Sequence, residues 1–406
     1  MAPAAAADTV KLSAFGRLRR YVFCGLRLEA YLEHPGDGRR RPRIAARDLL
    51  WSLLAGQLLR EPSHHAVEAL VRSSARRALG VVRDFGDDTL SYFTERLAAA
   101  PMRAALAGVV RLAKRNKAFE GARWIGLALD GTGAAAGMAH PCALCHPITN
   151  AEGATVGHLH HLSLISVVGA GLSLPFDVEP YAPGDCELHA SERLLERSLG
   201  YLGRRFADYV VVDGLYAQAP FLHRVGKHGL RVVVRLKDNL PTLMNAARQR
   251  FEGTPAHHTF AIGSDRVELW DADDFDPWET LDWDTVRVLR YRQTRRDGTV
   301  CEAYWLTDWS TPRVGPRALY GMAKSRWEIE NQGFNEAKNQ HALEHVHHHH
   351  PASLLINWLL VMFALTLERL FRLRYLHRGT HRPPTAIELV RRFRLSLAMP
   401  IGPDSS

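Results

Sequence analysis

Three short stretches of this chain carry residue types able to do chemistry, and two of them are alike. Trp124 to Leu129 is a short apolar run ending in Asp130-Gly131, and Tyr209 to Val212 is another ending in Asp213-Gly214. An acid that closes a strand in an open α/β sheet stands where such sheets commonly form their active crevice. The third stretch reads Arg326-Trp327-Glu328-Ile329-Glu330-Asn331 and continues through Phe334 to Lys338. At helical spacing Arg326, Glu330, Phe334 and Lys338 recur every four residues and share one slowly drifting face. Alone, that face reads as a surface ion-pair ladder; the two strand-end acids turn it toward a site. Glu328 and Glu330 lie about 200° apart on a helix, so only one can face the aspartates. Phe334 sets Glu330 on the partly buried face. Glu328, four residues after Lys324, reads as half of an exposed ion pair.

A further cluster is Cys142-x-x-Cys145, flanked by His140 and His146, with His158, His160 and His161 near in sequence. The spacing suits zinc, although one such pair is half a site and simple reduced cysteines are the other reading. The run His345 with His347 to His350 offers more nitrogen ligands, but a polar loop between helices is the expectation there. Five scattered cysteines make no disulfide framework and point to a reducing cytosol.

The elements that would position these residues change texture along the chain. From about 15 to 118 the pattern is helical, over Arg47 to Leu59, His64 to Leu79, Asp88 to Ala99 and Met102 to Ala118. Strands are expected at Trp124 to Leu129, His158 to Val168, Leu172 to Tyr181, Tyr209 to Val212 and Leu230 to Leu236. Helices are expected at Glu187 to Phe206 and Ala217 to His228. A β-rich stretch follows, with strands at His258 to Ile262, Arg266 to Trp270, Thr285 to Gln293 and Val300 to Thr307 and a turn at Asp297-Gly298. Helix returns at Pro316 and continues, broken near His347 to Pro351, to Tyr375; Thr385 to Ala398 is a last basic helix. This gives a loose tail over 1–14, a helical region with possible DNA contact over 15–118, and an α/β core beginning at 119–240. A β-rich insertion over 241–316, a helical return over 317–377 and a basic end over 378–406 complete it.

The 406 residues suit two or three domains, and 46% hydrophobic with 23% charged residues is ordinary for a folded protein. A net charge of +9 favours a polyanionic partner, nucleic acid ahead of membrane. Met1 to Thr9 lacks a signal-peptide layout, and the apolar stretch Ala352 to Leu367 falls short of a span and reads as a buried helix, so no membrane partner is expected. Arg39, Arg40, Arg41 and Arg43 in a loop read equally as solvated or as a phosphate-contacting arm. Arg372, Arg374, Arg378, Arg382, Arg391, Arg392 and Arg394 tilt toward DNA contact.

The third stretch resembles the catalytic helix of DDE-type insertion-sequence transposases. Their pattern of Arg-Trp-x-Ile-Glu-Asn, a later Lys and Leu-Glu-His is met by Arg326 to Asn331, Lys338 and Leu343-Glu344-His345. The resemblance extends to Asp130-Gly131-Thr132, Cys142-x-x-Cys145, Asp185-Cys186-Glu187 and Asp213-Gly214-Leu215-Tyr216, over roughly residues 60 to 370. It departs at Ala323, where many relatives have Tyr. It departs also at Lys338, one place later than many relatives set it, a shift that a helix end or local bulge absorbs.

The resemblance implies a ribonuclease-H-like mixed sheet split by the insertion. It also implies catalysis by Asp130, Asp213 and Glu330 on two Mg²⁺ or Mn²⁺ ions, Asp130 shared between them. Arg326 and Lys338 would hold DNA phosphates. The implied partners are transposon-end and target DNA, bound by a homodimer, in the cytoplasm and on the nucleoid. A nuclease that only hydrolyses and a domesticated DNA-binding protein are the alternatives; the second predicts a lost acid, and all three are present.

Overall fold

Tyr209-Val210-Val211-Val212 is apolar throughout and buried at every position, the pattern of a central strand with parallel neighbours. It lies in a ten-stranded sheet in a computed structural model that describes residues 12–137, 141–376 and 384–398. The strands are β1 (Gly126–Ala136), β2 (Cys145–Thr149), β3 (Thr155–Gly169), β4 (Leu172–Tyr181), β5 (Tyr209–Val212), β6 (Arg231–Leu236), β7 (His258–Ile262), β8 (Asp265–Phe275), β9 (Val286–Thr294) and β10 (Val300–Thr307). They belong to the compact unit Leu106–His345; a second unit joins Met1–Ala105 to Val346–Ser406.

The sheet runs β2-β3-β1-β5-β6-β10-β9-β8-β7, with β4 also on β3. β2 and β4 divide one edge of β3, β2 taking 155–160 and β4 taking 161–169. β4, β3 and β1 are antiparallel, whereas β1, β5 and β6 are parallel. Parallel neighbours need crossovers, here the helices Glu187–Leu202 before β5 and Ala219–Lys227 before β6. This is a mixed sheet, as the resemblance implies.

The β-rich insertion is not a separate layer. β10 pairs antiparallel with β6, and β9, β8 and β7 follow, so the insertion lengthens the core sheet. β6 is RVVVRL with its valines buried, and a bare edge there would present apolar side chains beside unpaired backbone. The hairpin between β9 and β10 closes as expected: Gly298 has φ +82°, its N–H reaches Arg295 O at 3.0 Å, and Thr299 N reaches Asp297 Oδ1 at 2.9 Å.

Three expectations shift. β1 continues to Ala136, so Asp130 lies inside the strand rather than closing it. The helix expected over His64 to Leu79 breaks into His64–Arg72 and Ala75–Leu79, because the Ser73 hydroxyl bonds Leu70 O (2.7 Å) and accepts from Ala75 N (3.2 Å). β2 appears where no strand was expected.

In the other unit, Pro351–Tyr375 is long and apolar enough to cross a membrane by length and composition, yet it is buried almost throughout. It packs on the helices Ala46–Leu59 and Asp87–Arg96. Thr94 Oγ1 meets Ser353 Oγ at 2.6 Å, and Arg60 Nη2 meets Glu368 Oε2 at 2.6 Å. That packing sets the division after His345 rather than at 377.

Several arginines prove structural. Arg39 is inward, bidentate on Asp37, bonded to Ile44 O and over the Phe93 ring. Arg394 bonds Leu59 O at 2.7 Å, satisfying a carbonyl at the end of Ala46–Leu59. Arg40, Arg41, Arg391 and Arg392 remain exposed. Residues 1–11 of the expected tail lie outside the described residues, and Ser13 caps a helix that opens at Ala14. Arg378, Arg382 and His140 also lie outside them.

Candidate active site

The two aspartates meet because of strand register. β1 and β5 pair in parallel at Gly126 with Tyr209, Leu127 with Val210 and Ala128 with Val211. Carried two residues further, the same register sets Asp130 beside Asp213, on the same face. Asp130 sits where β5 has ended while β1 runs on against β3, so one side of it is open. Asp213 is the first residue past β5 and precedes the short helical turn Gly214–Tyr216.

Glu330 arrives on the helical stretch 326–341. Ile329, Gly333, Phe334 and Ala337 are buried, and the stretch packs on β3 and β4. A Cβ at Gly333 would stand 3.2 Å from Leu164 Cδ2, so the missing side chain lets the helix approach the sheet. Ile329–Phe334 is a π turn in which Asn335 N bonds Glu330 O, five residues back. A π turn takes in an extra residue, which accounts for the displaced lysine.

One guanidinium gathers the acids. Arg326 Nη1 lies 2.7 Å from Glu330 Oε1 and 3.2 Å from Asp130 Oδ2, and Nη2 lies 3.9 Å from Asp213 Oδ1. Lys237 Nζ sits 2.6 Å from Asp213 Oδ2. Burial pushes the Asp130 carboxyl up; Arg326 opposes the rise, Glu187 and Glu330 add to it, and the group stands at about 7. Burial acts in the same direction on Asp213, but Lys237, the Gly214 N–H and Arg326 outweigh it and hold Asp213 below the usual range.

Lys338 does not join this group: its Nζ is 2.9 Å from Glu344 Oε1. Glu328 corrects its expected surface pairing. Its Oε2 accepts from Gly169 N at 3.2 Å, and burial raises its carboxyl to about 7 while the Gly169 and Gly171 amides oppose the rise. Lys324 instead lies over the Trp327 ring and bonds Gln293 Oε1.

Sequence reasoning missed a fourth acid, Glu187, which sits beside Asp130. A Cβ on Gly131 would fall 2.1 Å from Glu187 Oε2, so glycine follows Asp130 because the Glu187 side chain crosses there. Glu187 Oε1 accepts from Tyr216 OH at 2.8 Å, and Ser191 Oγ is 2.8 Å from that hydroxyl. In sequence Glu187 is only the first residue of a helix, where an acid is expected for the dipole alone. Its one signal was the Asp185-Cys186-Glu187 and Asp213-Gly214-Leu215-Tyr216 motifs, which carried no role. Three carboxylates thus face Arg326, with Lys237 on Asp213 and Glu187 beside Asp130, and carboxylate oxygens are the donor type that hard divalent cations take.

Residues 168–367 match the family model described as the transposase DDE domain. The matched segment includes Asp213, Arg326, Glu330 and Lys338 and begins after Asp130. The solved synaptic complex of the piggyBac transposase with hairpin DNA aligns with a TM-score of 0.47 at 10% identity, over 96% of this chain and 80% of that one. No curated protein matches the chain in sequence.

Proposed function

We propose that this protein cuts DNA strands at the ends of an insertion sequence and joins them to target DNA, with Asp130, Asp213 and Glu330 as the ligands of two divalent cations, Mg²⁺ or Mn²⁺. The carrying observation is the convergence of these three carboxylates on the Arg326 guanidinium. Bound there, the cations would activate the attacking water or hydroxyl and stabilise the leaving oxygen.

The chain's own groups do the rest. Asp130, open on one side where β5 has ended, would be a ligand available to the cations. Lys237 keeps Asp213 ionised. Arg326 presents a planar fork suited to a phosphate, and Lys338, further along the same helical stretch, would have to leave Glu344 to hold a second one. Two ends must be processed together, so the working form is a dimer on DNA.

The test is purified protein with Mg²⁺, DNA from the flanks of its own gene and a separate target duplex. Nicks at the ends followed by joined product are expected. Nicks that never lead to joining would leave a nuclease, and no cleavage with either cation would overturn the assignment.

A further inference from the structure

Cys145 and His160 face each other across the β2–β3 ladder. Cys142 reaches the same point from a tight turn, in which Cys145 N bonds Cys142 O at 3.1 Å. The two sulfurs are 3.8 Å apart, and His160 Nε2 is 3.4 Å from each. A disulfide would need about 2.05 Å, so the thiols are separate. A tetrahedral Zn²⁺ with Zn–S near 2.3 Å and Zn–N near 2.0 Å puts its sulfurs about 3.8 Å apart and each about 3.5 Å from the nitrogen. The three atoms thus hold the edge lengths of a zinc site.

Two further observations agree. Leu144 N–H points at Cys142 Sγ at 3.4 Å, the backbone-to-sulfur bond that steadies a thiolate ligand. His160 is fully buried and Cys145 nearly so, while His146 and His161 are occupied with Tyr181, His146 through its carbonyl and His161 through its ring.

We propose that Cys142 Sγ, Cys145 Sγ and His160 Nε2 supply three ligands of a structural Zn²⁺, a site separate from the carboxylates. It fastens the short strand β2 to β3. On its other side His160 pairs with Ala134 of β1, the strand that carries Asp130. The metal would therefore brace β1 at Ala134, four residues along the strand from Asp130.

Metal content of protein purified without chelator tests this apart from any DNA reaction. Near one zinc per chain is expected in the parent and in a Cys24→Ser/Cys186→Ser/Cys301→Ser variant, and none in Cys142→Ser/Cys145→Ser. His160→Cys should keep the metal and His160→Ala should lose it. Should the double variant fold poorly, mercurial titration of the parent serves: one zinc released as two thiols react supports the site. Parent protein that holds no zinc after loading, or zinc that leaves with Cys186 instead, would overturn it.

Discussion

Replacing Glu328 by Gln should stabilise the protein in a pH-dependent way and leave DNA cleavage intact. Glu328 is an acid whose usual value of 4.5 is raised to about 7, with burial as the main cause. An acid raised on folding favours the protonated form. Its contribution is fully present below pH 4.5 and is lost as pH climbs through 7. At about 1.4 kcal/mol per unit, this span corresponds to a ceiling of roughly 3.5 kcal/mol above pH 8. Glutamine keeps an oxygen for the Gly169 amide and carries no charge at any pH. The variant and parent should match near pH 4, and the variant should lead by about 1–3 kcal/mol at pH 8. Urea midpoints measured across that range, without divalent cations, read the difference. A gap that stays flat with pH, or favours the parent, would refute the buried setting. In the cleavage assay Glu330→Gln should be dead. An active Glu330→Gln beside a dead Glu328→Gln would show that the helix faces the other way.

Other outcomes follow from the same geometry. Asp130→Ala and Asp213→Ala should each abolish cleavage while circular dichroism and DNA binding persist; wild-type rates in either would remove that residue from the site. Arg326→Ala should slow strand processing and lower the salt slope of DNA binding by about 1, as one lost phosphate contact requires, and an unchanged slope would return it to a purely structural ion pair. Glu187→Gln should keep the Tyr216 bond yet weaken Mg²⁺ binding, seen as a higher Mg²⁺ concentration for half-maximal cleavage; an unaltered titration would exclude it from the cation field. Gly131→Ala should cost about 1–3 kcal/mol by displacing Glu187, and a normal melting temperature would contradict the close approach.

Much of the scaffold was legible because strand and helix patterns are local. β3, β4, β5, β6 and the four insertion strands fall within a few residues of their apolar runs. What escaped depends on partners far away in sequence. β2 reads Cys-His-Pro-Ile-Thr, mostly exposed and interrupted by Pro147, and it is a strand only because β3 overhangs β4. Asp130 looked like a strand end because Gly131 to Gly133 carry little apolar surface, yet the β3 ladder carries β1 past them. Glu328 lacks a surface partner because its partner is a backbone amide 159 residues earlier. For the site, residue type and order sufficed to bring Asp130, Asp213, Glu330 and Arg326 together. They could not reveal Glu187, whose role arises from a side chain crossing a glycine.

The continuity of the ten-stranded sheet bears on how this chain can be trimmed. An insertion folded as its own lobe could be excised and its ends spliced, leaving the core intact. Here β10 lies along β6, so excision would strip a valine-rich strand of its neighbour and turn its unpaired backbone to solvent. Such an edge recruits other chains and drives precipitation. The natural boundary is instead β7, five residues long and largely exposed, which already ends the sheet in water. A minimal catalytic fragment should therefore keep 241–316, and shortening is better directed at the loops within it.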